Sequence, residues 1–132
     1  MVLIDGNGLP LGATIASASP NEVTLIEPLL NERIARRRPR YLIYDRAADS
    51  DPLRKRLARR GIELVCPHRR GRKRPPTQDG RKLRRYKRRW RVERSISWLF
   101  NFRRLVVRYE YHAHLFYGLV QLACVFTMLK KL

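Results

Sequence analysis

Glu93 stands inside the most basic stretch of the chain: from Arg69 to Arg94, fourteen Lys and Arg surround only two acids, Asp79 and Glu93. Tyr86, Arg89 and Glu93 are spaced three and four residues apart, which on a continuous helix places them on one face. One reading is a plain helical ion pair, which contributes well under ~1 kcal/mol when exposed. The spacing supports a chemical one as well. A carboxylate that can ligate a hard cation, beside a guanidinium that can clamp phosphate, is what metal-assisted phosphoryl transfer needs. Mg²⁺ (or Mn²⁺) suits such all-oxygen ligation with retained waters. A second acid, Asp45, follows the apolar run Tyr41-Leu42-Ile43-Tyr44. Ligands gather at the carboxyl ends of strands in α/β sheets, although a loop-capping Asp would occupy the same place. Asp45 and Glu93 are the candidate catalytic and metal-holding acids, two parts of one cation cage.

The charge around them identifies a partner class. The chain has 132 residues with 30 Lys+Arg against 11 Asp+Glu, net +19, and a pI near 11.4. Charge this one-sided repels itself and calls for a polyanion. Arg outnumbers Lys, and the planar guanidinium matches phosphate bidentately; the footprint is that of a phosphate-backbone binder. The asymmetry runs along the chain, because before Arg33 there are four acids (Asp5, Glu22, Glu27, Glu32) and no Lys or Arg. The DNA-binding side chains expected are Arg69, Arg70, Arg72, Lys73 and Arg74 in a loop, then Tyr86, Arg88, Arg89, Arg91 and Arg94, and finally Arg103 and Arg104. A basic ribosome-associated protein would explain the charge but not the spaced Tyr86, Arg89 and Glu93.

Apolar residues make up 44% of the chain, enough for a packed core in a single domain. Cys66 and Cys124 lack partners at metal-ligand spacing and read as reduced thiols. Cys66 with His68 is a weak metal signal, and a strand-end thiol beside a basic loop is the plainer account. Glu110, His112 and His114 do not share a helical face and read as packing or surface groups. Trp90 and Trp98 pack on neighbouring elements or stack on bases. No secretory signal precedes the first strand. The run from Leu115 to Leu129, interrupted by Gly118, Gln121 and Thr127, is too short for a bilayer span. A cytoplasmic protein without membrane contact is expected.

The elements that must position these residues follow from local chemistry. Val2-Leu3-Ile4 ends at Asp5-Gly6-Asn7-Gly8, and Leu9 to Ala18 returns as a second extended segment, a hairpin. Pro20-Asn21-Glu22 opens a helix with Val23, Ile26, Leu29, Leu30 and Ile34 on its apolar side. A basic loop, Arg36 to Arg40, leads into the strand at Tyr41. Asp49 or Ser50 caps a helix with Pro52 in its first turn and Gly61 past its end. Ile62 to Val65 is another strand, and residues 66–80 are a basic Pro/Arg-rich loop. A long helix is expected from near Arg81 through Trp98. A last helix carries Leu115, Leu119, Leu122, Ala123, Phe126 and Leu129 on one stripe. The order is that of an α/β fold with terminal helices, and the chain opens on a strand as though something lay upstream.

Here a resemblance becomes specific. Tyr86-x-x-Arg89-x-x-x-Glu93, Arg94-Ser95-Ile96-Ser97-Trp98-Leu99 and the stretch Phe102 to Glu110 resemble the C-terminal signature of DDE insertion-sequence transposases of bacteria. Asp45-Arg46-Ala47-Ala48-Asp49-Ser50-Asp51-Pro52-Leu53-Arg54 resembles that family's second-Asp segment, and Gly61-Ile62-Glu63 the strand that follows. The opening hairpin and Ser17-Ala18-Ser19-Pro20 resemble its central strands. The likeness covers nearly the whole chain in the right order.

The resemblance implies a truncated RNase H-like fold: β-hairpin, helix, strand, helix, strand, basic loop and two C-terminal helices, as one partial catalytic domain over 1–132. It implies DNA strand cleavage and transfer with a divalent metal, acting on element ends and target, by a nucleoid-associated homodimer. Asp45 matches the second catalytic acid and Glu93 the third, with Tyr86 and Arg89 as supports facing DNA. Trp98, Arg103, Arg104 and Arg108 also match family positions. Two positions depart: Ala48 replaces an aromatic residue, and Phe100 stands where a Lys is frequent. The first Asp of the family belongs upstream of the opening hairpin, and Asp5 is a turn residue. This chain is therefore expected to be inactive alone, as a C-terminal transposase part. The alternative is a catalytically inactive DNA-binding remnant or an inhibitor of the intact enzyme.

Overall fold

Asp5 organises the first turn of the chain. Its Oδ1 accepts from the N–H groups of Asn7 and Leu9, both at 2.8 Å, and Gly8 follows at φ +88°, where only glycine is unstrained. The turn joins β1 (Val2–Ile4) to β2 (Pro10–Ala13) as an antiparallel hairpin, with a register shift between Leu3 and Ile4. In this computed structural model, residues 1–17, 19–35, 37–78 and 80–131 are described. Ala18 of the expected second strand, Arg36 of the basic loop and Asp79 lie outside them. The hairpin is as expected, but its second strand stops at Ala13.

The hairpin belongs to one of two compact units, Met1–Ala35 with Trp90–Leu132. Helix α1 (Glu22–Asn31) starts at Asn21, whose side chain accepts from the Val23 N–H. It buries Ile26, Leu29 and Leu30. Ile34 lies past the helix end and is exposed. Helices α4 (Trp90–Leu99), α5 (Arg103–Val106) and α6 (Ala113–Leu129) complete the unit. Leu99 of α4 and Ala123 and Cys124 of α6 pack with Ala13 of β2, flanked by Val2, Phe102, Leu105 and Val120. Of the stripe expected on α6, Ala123 is buried, together with Cys124 and Thr127 outside it, while Leu115, Leu122, Phe126 and Leu129 are exposed.

The other unit is Arg36–Arg89. Strands β3 (Tyr41–Ile43) and β4 (Glu63–Val65) pair in parallel, Leu42 opposite Leu64. The crossover between them contains a 3-10 turn, Arg46–Ala48, and α2 (Asp51–Arg59). Ser50, not Asp49, caps α2 through the Leu53 N–H; Pro52 sits in its first turn, and Gly61 follows its end at φ +73°. Leu53, Leu57, Ile62, Val65 and Cys66 are buried in this unit's core.

The long helix expected from Arg81 through Trp98 is not continuous. The chain forms α3 (Gly80–Leu83), then a 3-10 segment over Arg84–Arg89, and only then α4. Packing explains the break. Nothing between Gly80 and Arg89 is buried, whereas α4 buries Ser95 and Leu99. Helical stability comes chiefly from an anchored face, and like charges three and four apart oppose it. The fold is mixed α/β with two small sheets. Among the described residues no helix is long and apolar enough to cross a membrane.

Candidate functional site

Asp45 sits where the parallel pair of strands ends. The Tyr44 N–H still bonds to the Val65 carbonyl at 3.1 Å, and the chain then turns. Oδ1 of Asp45 accepts from the Ala47 N–H at 2.9 Å, and the 3-10 turn winds on to Ala48, which is fully buried. The structure shows the capping expected of this residue, and its place at a strand end. It caps a turn, and it is a half-buried carboxylate at the carboxyl end of β3.

Four residues on, Asp49 is the most heavily engaged acid of the unit. Its side chain is 2% exposed. Oδ1 receives Arg54 Nη2 at 3.0 Å and pairs with His68 Nδ1 at 2.9 Å. Oδ2 accepts from the Arg69 N–H at 2.8 Å, and the Arg72 guanidinium lies at 3.5 Å. Burial alone would raise this carboxyl, but the donors from Arg69, His68 and Arg54 outweigh it and hold the pKa at about 2. Asp51 extends the cluster, taking Arg72 at 2.9 Å and Arg74 at 3.1 Å. The hydrogen bond from Arg72, followed by that from Arg74, lowers the Asp51 carboxyl from its ordinary value.

The loop is thereby tied to the turn that carries Asp45. The Arg69 side chain donates to the Ala47 carbonyl at 2.9 Å. His68 Nε2 accepts from the Thr77 N–H at 3.2 Å, so the ring bridges Asp49 and the far end of the loop. With both ring nitrogens occupied, and Cys66 buried with its Sγ 3.0 Å from Arg54, the Cys66 and His68 pair has a structural role. Burial pushes the Cys66 thiol up. Arg54 also reaches the Leu64 and Cys66 carbonyls, joining α2 to the end of β4.

The loop cations expected to meet DNA fall into two kinds. Arg72 is largely enclosed, at 14% exposure, whereas Arg74 is 75% exposed. Arg69, Arg70 and Lys73 are exposed. An open groove of about 640 Å³ is lined by Arg40, Arg54, Lys55 and Arg74 together with Asp51 and Glu63. Arg40 and Lys55 were not among the expected DNA contacts; their sequence signal, short basic clusters outside the long run from Arg69, is weak. Further along, Arg85 lies 4.2 Å from the Tyr41 ring centroid and Arg89 5.8 Å from that of Tyr86. Residues i and i+3 eclipse in a 3-10 helix, so Tyr86 and Arg89 do share a side. Arg88 lies in the same 3-10 segment.

Glu93 is in the first turn of α4 and is exposed. The single helical face expected for Tyr86, Arg89 and Glu93 is absent, because the 3-10 segment ends at Arg89 and the two parts belong to different units. What seats Glu93 is Ser95. The buried Ser95 hydroxyl lies 2.6 Å from the Gly8 carbonyl and 2.8 Å from that of Arg91, fixing α4 to the hairpin turn. Nearby, Arg94 lies 4.2 Å from the Trp90 ring centroid and Arg91 5.8 Å. Arg104 pairs with Glu110 at 3.2 Å, and Arg103 is exposed.

Charge separates between the units. Arg36–Arg89 holds 22 Lys and Arg against 5 acids, net +17, and the remainder holds 8 against 6. Asp45 and Glu93 supply hard oxygen donors of the type Mg²⁺ and Mn²⁺ take. Among the described residues no three His, Cys, Asp or Glu side chains gather as they would to hold a metal ion.

The chain is thus a mixed α/β protein with an acid at a strand end, on a turn bonded to a basic loop. Residues 1–128 match the family described as Transposase DDE domain, and the chain belongs to that family. It is 37% identical over 131 residues to a Burkholderia cepacia protein titled "Putative transposase for insertion sequence element IS402", a match covering 93% of this chain. The chain spans 58% of the length of that relative. No solved structure matches the chain.

Proposed function

We propose that the chain is the acid-bearing, DNA-gripping part of a transposase catalytic domain of RNase H-like type, forming one functional domain over 1–132 with residues 66–80 as its basic loop. The observation that carries the reading is the place of Asp45: a carboxylate at the end of β3, on a turn bonded to the basic loop by Arg69. DNA phosphates meet the exposed cations of that loop, including Arg70, Lys73 and Arg74, and those of the 3-10 segment around Arg88 and Arg89. Arg91, Arg94, Arg103 and Arg104 extend the contact. Two copies act together, one at each element end, in the cytoplasm on the nucleoid.

Asp45 in one unit and Glu93 in the other are each a carboxylate that would ligate divalent metal. Such an ion would supply Lewis-acid polarisation of a phosphodiester and a lowered pKa for an attacking oxygen. The chain's own residues supply the rest. Asp45 is held by its turn, Glu93 by the Ser95 anchor, and the arginines neutralise phosphate charge.

The family's cage requires a third acid, so a second reading has this chain binding DNA without cutting it and competing with the intact enzyme. One variant separates roles within an intact transposase bearing this sequence. Glu93→Gln abolishes Mg²⁺-dependent nicking and leaves DNA affinity within about twofold, since one exposed charge among many changes the phosphate contacts little. Nicking retained by that variant removes Glu93 from the mechanism. Nicking absent from the isolated wild-type chain, with competition against the intact enzyme, selects the second reading.

A further inference from the structure

We propose that Asp49 is a positioning residue for Asp45: it locks the turn carrying that carboxylate to the basic loop, making Arg72 an internal strut while Arg70, Lys73 and Arg74 are presented outward to phosphate. The inference rests on the proposed role of Asp45 and concerns a residue outside the three acids of the triad.

Asp49 closes the 3-10 turn through its own N–H, which bonds to the Arg46 carbonyl at 3.2 Å. Its carboxylate simultaneously takes the backbone of Arg69 and the side chains of Arg54 and His68. The Arg69 side chain returns to the Ala47 carbonyl, so the turn is bonded to the loop at Ala47 as well as at Asp49. Arg72 bridges Asp49 and Asp51, and its Nη2 and Nε also donate to the Pro75 carbonyl at 3.3 Å. A guanidinium committed to two carboxylates and a carbonyl has few donors left for a phosphate. Arg74 pairs with Asp51 among the described residues and remains open to water. A Pro- and Arg-rich loop without such ties would repel itself and move as a tether. Held by Asp49, it becomes a rim fixed beside Asp45.

The test uses the full chain, an amide-exchange measurement and titration of a duplex oligonucleotide at several salt concentrations. Asp49→Asn keeps the side-chain volume but sets an amide donor against donors. The Ala47 N–H, capped by Asp45 and not bonded to Asp49, then exchanges at least about tenfold faster, while the β4 amides of Glu63 and Val65 are unchanged. Arg72→Gln, which leaves Asp49 its other donors, gives a smaller acceleration at Ala47 and an unchanged salt slope. Arg70→Gln leaves the amides alone and lowers the slope by about 0.9, one phosphate's worth. If Asp49→Asn fails to fold, the Arg72→Gln and Arg70→Gln pair decides.

An unaltered Ala47 amide in Asp49→Asn overturns the proposal, as does acceleration spread equally to β4, which would mark general loosening. A slope lowered by about 0.9 in Arg72→Gln with unaltered amides makes Arg72 a phosphate contact and also overturns it. If the wild-type chain shows no salt-dependent DNA binding, the functional reading fails, while the exchange results still report whether Asp49 holds the turn.

Discussion

Asp49→Asn also changes stability, with a distinctive dependence on pH. The carboxyl moves from an ordinary 3.8 to about 2 in the folded chain. At about 1.4 kcal/mol per pH unit this corresponds to roughly 2 kcal/mol. His68 and Arg72 are 18% and 14% exposed, so water screens part of that and about 1–2 kcal/mol is expected. The folded pKa lies below the unfolded one. The contribution is therefore complete above the unfolded value and is lost as pH falls through the folded value. Urea unfolding of wild type and variant should give a stability gap of about 1–2 kcal/mol at pH 7, constant down to about pH 4 and closing toward pH 2. A gap that persists unchanged at pH 2 would refute the electrostatic account of Asp49, and no gap at pH 7 would refute its structural role.

Three further predictions concern the seats of the two acids. Ser95→Ala removes a buried hydroxyl from two carbonyls and should cost about 1–2 kcal/mol in urea unfolding. Gly8→Ala on the same seat meets φ +88° and brings a methyl within 3.2 Å of Ser95 Oγ, so it too should cost about 1 kcal/mol or more. Asp45→Asn should change stability by less than about 0.5 kcal/mol, because Asn caps as well as Asp, yet abolish strand cleavage by an intact transposase carrying it. Thermal melting beside a nicking assay checks both halves.

Local chemistry made much of this molecule legible. Asp5-Gly6-Asn7-Gly8 announced its turn, Asn21 its helix start, Pro52 and Gly61 the bounds of α2, and Tyr41 to Asp45 a strand ending on an acid. What escaped depended on contacts distant in sequence. Asp49 looked like a helix cap, but its partners are Arg54 on α2 and His68, Arg69 and Arg72 from the loop. Arg72 looked like its neighbours until its enclosure by Asp49 and Asp51 set it apart. Spacing alone made Tyr86, Arg89 and Glu93 one face, but no apolar side chain between Gly80 and Arg89 holds an α-helix there. On α6 the apolar residues run nearly all round, so periodicity chose Leu115 and Leu122 beside Ala123, where packing buried Ala123 with Cys124 and Thr127.

The central claim is that this chain grips DNA through its phosphate backbone with the +17 unit. The direct measurement is the affinity of the full chain for duplex DNA over a range of monovalent salt. If several loop and 3-10 cations each neutralise a phosphate, log K falls linearly with log salt at about 0.9 per contact, a slope steeper than −4. A slope near zero, or binding that survives high salt undiminished, would contradict the account.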